Sequence, residues 1–79
     1  MQQTMERGAD VHYPVDNGTY NLLMTLTEKL QALESYRTYS KDVSGQELEL
    51  YKGLIEEDTR HAERIYQVLK SRIAGEHNR

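Results

Sequence analysis

From Thr19 onward, leucines recur at Leu22, Leu23, Leu26, Leu30 and Leu33, three and four residues apart, which keeps them on one face of an α-helix. Asn17 or Thr19 is placed to cap its start. The pattern breaks at Lys41-Asp42-Val43-Ser44-Gly45, a turn-forming stretch. A second periodic run follows at Leu48, Tyr51, Leu54, Ile55, Ala62, Ile65, Leu69 and Ile73, with Gly75 suited to its end. Gly53 lies inside this run and costs about 1 kcal/mol relative to alanine, too little to divide it. Residues 1–18 contain the only proline, Pro14, and show no helical repeat, so they read as an irregular lead-in. Nothing in the chain alternates as a strand does. The expected fold is therefore all-α: an antiparallel two-helix hairpin over residues 19–74 behind an irregular N-terminal segment.

A hairpin has one interior seam, and the apolar face of each helix is wider than that seam can cover. The pattern thus predicts association with further copies, as a four-helix bundle or a larger ring. Composition presses the same way. A chain of 79 residues removes only about 60% of its unfolded surface from water on folding. Only 37% of its residues are hydrophobic, against about 45–50% in an average domain, and mean hydropathy is −0.85. With no cysteine there is neither a disulfide framework nor a thiolate metal site. Packing, oligomerisation, or a metal held by carboxylate and imidazole remain as sources of stability.

Charge and hydropathy narrow the partners. Thirteen acidic residues against ten basic ones give a net charge of −3, with no polybasic run, so nucleic acid is not an expected partner. No apolar stretch approaches the roughly 18 residues of a membrane span, and the first residues lack the apolar core of a signal peptide. The expectation is a soluble, cytoplasmic chain whose main partner is itself.

Within the second apolar run, Asp58 falls near the middle of the hydrophobic face, flanked by Leu54, Ile55, Ala62 and Ile65, and His61 follows one turn later. An aspartate there needs a hydrogen-bonding partner, a counter-ion or a metal. On the first helix the polar intrusions are Arg37, near the centre of the leucine stripe, and Lys29 and Glu34 on its flanks. A turn centred near Val43 and Ser44 sets residues equally distant from it side by side, placing Lys29 level with Asp58 and Leu26 level with His61. Two readings follow. In one, Asp58 pairs with Lys29 and His61 hydrogen-bonds nearby. In the other, Asp58-x-x-His61 offers a carboxylate oxygen and an imidazole nitrogen to iron, manganese or zinc. Two ligands are too few, so Glu28, Glu34, Glu57 or a second copy of the chain would have to complete that site.

The stretch Leu26-Thr27-Glu28-Lys29-Leu30-Gln31-Ala32-Leu33-Glu34-Ser35-Tyr36, followed by Ile55-Glu56-Glu57-Asp58-Thr59-Arg60-His61-Ala62-Glu63-Arg64, resembles the two-helix half of ferritin-like proteins, most of all the short encapsulated-ferritin type. The resemblance covers about Tyr20 to Ile73. It implies a four-helix, ferritin-like assembly in which a glutamate on the first helix and a Glu-x-x-His on the second bind iron, two hairpins together holding a di-iron centre. The second motif corresponds to Asp58-x-x-His61, with aspartate in place of glutamate. At the first-helix ligand position this chain carries Lys29, with Glu28 beside it. A tyrosine can lie beside the metal in such sites, which singles out Tyr36 and Tyr51.

The remaining candidates carry less chemistry. His12 and His77 lie outside the periodic segments and read as solvent-exposed. Glu47, Glu49, Glu56, Glu57 and Glu63 read as a solvated acidic face. No strand precedes a glycine cluster, as a phosphate loop requires, and no serine is placed for a histidine to activate. The C-terminal Gly75-Glu76-His77-Asn78-Arg79 offers no apolar docking peptide for a surrounding shell.

The function expected first is that of a ferritin-like protein binding iron or a similar divalent metal at a subunit interface. Asp58 and His61 are its principal ligands, Glu28 and Glu34 supplementary, and Tyr36, Tyr51 and Lys29 stand around the site. A redox-competent site of that kind would oxidise Fe(II) with oxygen or peroxide. The function expected second is that of a metal-free structural or protein-interaction module, in which Lys29, Arg37, Asp58 and His61 form a buried polar network that fixes register.

Overall fold

Asp16 decides where the first helix begins. The computed structural model describes residues 13–77, with side chains through residue 75. In it Asp16 has extended backbone, φ −78° and ψ 173°, and its Oδ1 accepts the Thr19 N–H at 2.8 Å, satisfying one of the free N–H groups at the helix start. The helix α1 accordingly spans Asn17–Ser40. The cap thus lies one residue before Asn17, because a carboxylate on extended backbone reaches the first turn, while the expected caps Asn17 and Thr19 are already helical. The irregular lead-in ends at Asp16 among the described residues. His12 lies outside them, as does the side chain of His77.

At its other end α1 closes with Lys41 N–H donating to Thr38 O at 3.2 Å and Asp42 N–H to Tyr39 O at 3.0 Å. Gly45, at φ 59°, then turns the chain into α2, Gly45–His77. That left-handed conformation is why glycine stands there: a Cβ would meet no neighbouring atom, but the backbone itself disfavours any other residue. Gly53 does not interrupt α2, and the helix passes Gly75 to reach His77. Neither described helix is long and apolar enough to cross a membrane.

The described residues form the expected helical hairpin, with α1 packed on α2. It is one helix layer thick, its Cα atoms extending only 13 Å along the shortest axis. Leu22, Leu26 and Leu33 of α1 and Leu48, Leu54, Ile55 and Ile65 of α2 line the seam half-buried. Among the described residues only Ala62 and Leu69 are buried apolar side chains. Leu30, Leu50 and Val68 remain 52%, 57% and 55% exposed. A layer this thin can enclose little, so most of its apolar side chains border the seam without leaving water.

Candidate functional site

The register set by the turn brings Lys29 and Asp58 together across the seam. Lys29 Nζ donates to Asp58 Oδ1 at 3.1 Å, the two side chains being 34% and 15% exposed. His61, one turn further along α2, puts Nδ1 3.2 Å from the same oxygen, so that nitrogen donates when it carries the proton and the ring's Nε2 lies on the side away from Asp58. The cluster opens on one flank of the seam into a shallow groove of about 340 Å³ lined by Leu22, Lys29, His61, Arg64, Ile65 and Val68.

The electrostatics follow from these contacts. The Lys29 ammonium bonded to Asp58 holds its carboxyl below the usual aspartate range. Partial loss of water works in the opposite direction, and His61 adds a weaker downward pull. Asp58 is therefore an anion at neutral pH with a protein cation already on it.

The other expected site residues are placed elsewhere. Glu34 accepts from Arg37 at 2.8 Å in a surface pair, both side chains about two-thirds exposed. Arg37 therefore stays out of the Lys29, Asp58 and His61 cluster, and its guanidinium keeps its water. Glu28 and Glu57 are exposed. Tyr36 and Tyr51 face each other with ring centroids 6.1 Å apart, joined by Tyr39 at 6.0 Å from Tyr51. Counted in residues, that tyrosine group lies two turns, about 10 Å, nearer the loop than the Lys29–Asp58 pair. No three His, Asp or Glu side chains converge as a metal cluster among the described residues. Within one chain the cluster thus supplies one carboxylate and one imidazole beside an ammonium, a combination that repels a cation more than it chelates one.

A second crossing contact, which periodicity alone does not reveal, ties the open end of the hairpin. Arg72 of α2 reaches Asp16, Nη2 to Oδ2 at 3.2 Å, and donates through Nε to Thr19 Oγ1 at 3.2 Å. Thr19 is fully buried. The register that sets Lys29 level with Asp58 also sets residue 72 level with residue 15, so counting outward from the turn was the signal available for this contact.

No family model, no curated protein and no solved structure matches this chain.

Proposed function

We propose that the chain is a metal-free helical interaction module that assembles with copies of itself into a four-helix arrangement, its two helices held in register by Lys29, Asp58 and His61. The observation that carries this reading is the 3.1 Å contact between Lys29 Nζ and Asp58 Oδ1. The resemblance to ferritin-like proteins leads one to expect a glutamate ligand at position 29, and an ammonium there neutralises Asp58 without any bound ion. A charged cross-helix contact of this kind tolerates only one register, since a shift by one turn would leave Asp58 against leucine. Leu30, about half exposed, supplies apolar surface for assembly.

A second reading rests on a different observation, the 3.2 Å approach of His61 to Asp58. With Nδ1 turned to the carboxylate, Nε2 is left for a ligand, and a second copy bringing its own pair would raise the donor count to a usable metal site. This is the ferritin-like reading, with iron as its expected metal and Glu28 and Glu34 as supplementary donors.

Thermal melting with and without Fe(II), added anaerobically, separates the two. On the leading reading the metal leaves Tm unchanged in the unmodified protein, and Lys29→Glu, which restores the carboxylate, creates a metal-dependent rise that His61→Ala abolishes. A rise in the unmodified protein that disappears in His61→Ala would overturn the leading reading in favour of the second.

A further inference from the structure

The hairpin has two flanks, and they differ in charge. One is the groove already described, where Leu22, Ile65 and Val68 are accompanied by Lys29 and Arg64. The other is a groove of about 400 Å³ lined by Leu26, Leu30, Leu33, Ala62 and Tyr66, with Thr59 and Glu63 at its border. It contains no cation, and Leu30 and Tyr66 stand about half exposed in it. Stacking two copies through the first flank would take the cations Lys29 and Arg64 out of water without supplying a new carboxylate from the groove itself. Stacking through the second removes leucine from water at almost no polar cost.

Charge along the helices then selects between the two ways of stacking such a face on itself. The turn-proximal half of α2 carries Glu47, Glu49, Glu56, Glu57 and Asp58 against the single cation Lys52. Over residues 59–75 the balance reverses, Arg60, Arg64, Lys70 and Arg72 standing against Glu63. A two-fold axis running along the helices lays α1 on the partner's α2 and places turn over turn, so the acidic half of α2 meets a turn-proximal stretch in which Arg37 and Lys41 are balanced by Glu34 and Asp42 and gains no opposite net charge. An axis across the helices lays each helix antiparallel on its own copy and places the acidic half over the basic half. In both arrangements neighbouring helices are antiparallel, so helix dipoles do not discriminate, and the side-chain charges decide.

Resting on the self-assembly reading above, we infer that two copies associate face to face through the Leu26–Leu30–Leu33 and Ala62–Tyr66 flank, about a two-fold axis across the helices that sets Leu30 beside the partner's Leu30. The Lys29–Asp58–His61 groove then lies on the outer surface of the dimer, away from the contact, which separates this arrangement from an interfacial metal site.

The chain has no cysteine, so single cysteines report on this arrangement without background. In the full chain, Leu30→Cys treated with a short bismaleimide is expected to give a covalent dimer, and Val68→Cys to stay monomeric on a denaturing gel. By analytical ultracentrifugation, Leu30→Glu should weaken self-association more than about tenfold, with Val68→Glu close to the unmodified protein. Circular dichroism of each variant separates lost association from lost folding, and the two cysteine variants give their answer even where the glutamate variants unfold. Association that survives Leu30→Glu but fails in Val68→Glu, with covalent linking of the Val68→Cys variant, would overturn the choice of flank while leaving self-assembly standing. Weakening by Leu30→Glu without any linking of the Leu30→Cys variant would overturn the orientation. A monodisperse monomer of the unmodified protein at micromolar concentration would overturn both this inference and the assembly reading it rests on.

Discussion

Two carboxylates cross the seam of this hairpin to meet a cation, and their settings differ. At the open end Asp16 precedes α1 and Arg72 belongs to α2; in the middle the polarity is reversed, with Lys29 on α1 and Asp58 on α2. Asp16 also caps α1 through the Thr19 N–H, and Arg72 also bonds the buried Thr19 hydroxyl. Each partner is therefore fixed by a second contact, and Leu69, 4% exposed, lies less than one turn from Arg72. The Lys29–Asp58 pair has instead His61, half in water, and a groove beside it. The contrast assigns structural closure to the open end and leaves the middle cluster the more adjustable of the two.

The largest effect is expected where burial is deepest. Leu69→Ala should destabilise the protein by about 2–5 kcal/mol, the cost of a core leucine deletion. Leu50→Ala, at a side chain 57% exposed, should stay within about 0.5 kcal/mol in the monomer. Urea unfolding at equal protein concentration measures both. Comparable losses would mean that the open end is not the packed end.

Next comes the cap and clamp. Asp16→Ala removes the acceptor of the Thr19 N–H and the partner of Arg72 together, and should cost about 0.5–2 kcal/mol, the usual range for an N-cap. Gly18→Ala sharpens the test, because a Cβ there would run into the Arg72 guanidinium. Alanine in a helix interior is worth about 0.5–1 kcal/mol over glycine. That gain should appear in full in an Arg72→Ala background and be reduced or reversed in the intact protein, a difference that a double-mutant cycle reads directly. Equal gains in both backgrounds would show that Arg72 yields freely and the clamp is loose.

The hairpin was legible in the sequence because leucine spacing and a turn of small and polar residues together specify two amphipathic helices. Counting from that turn was enough to bring Lys29 to Asp58. Two features resisted the same reading. Helical phase places Arg37 on the leucine stripe, but phase does not say whether anything covers the stripe there, and Arg37 instead pairs with Glu34 in water. The cap at Asp16 depends on extended backbone one residue before the helix, which periodicity starting at the first leucine does not register. The difference between the two flanks of the stripe likewise lies in the charges beside it, Lys29 and Arg64 lining one and no cation the other, and the leucines alone are silent on it.

The smallest effect, and the one that isolates the middle cluster, is its pH dependence. Asp58 has its carboxyl lowered from 3.8, chiefly by the bond from Lys29. A carboxyl lowered in the folded state binds fewer protons there than in the unfolded chain. Its contribution to stability is then present in full above the ordinary carboxyl range, and is lost as pH falls through 3.8 toward the lowered folded value. Asp58→Asn keeps the shape and removes the titration, so its unfolding midpoint should lie below that of the parent near neutral pH and converge with it on the acid side. Lys29→Met should flatten the same slope by removing the principal cause of the shift, even though it leaves Asp58 in place. His61→Gln, which removes only the weaker pull, should flatten it less. Parallel acid profiles for the parent and Asp58→Asn would mean that Asp58 titrates alike in both states, and that the Lys29 contact adds geometry to the seam without adding stability.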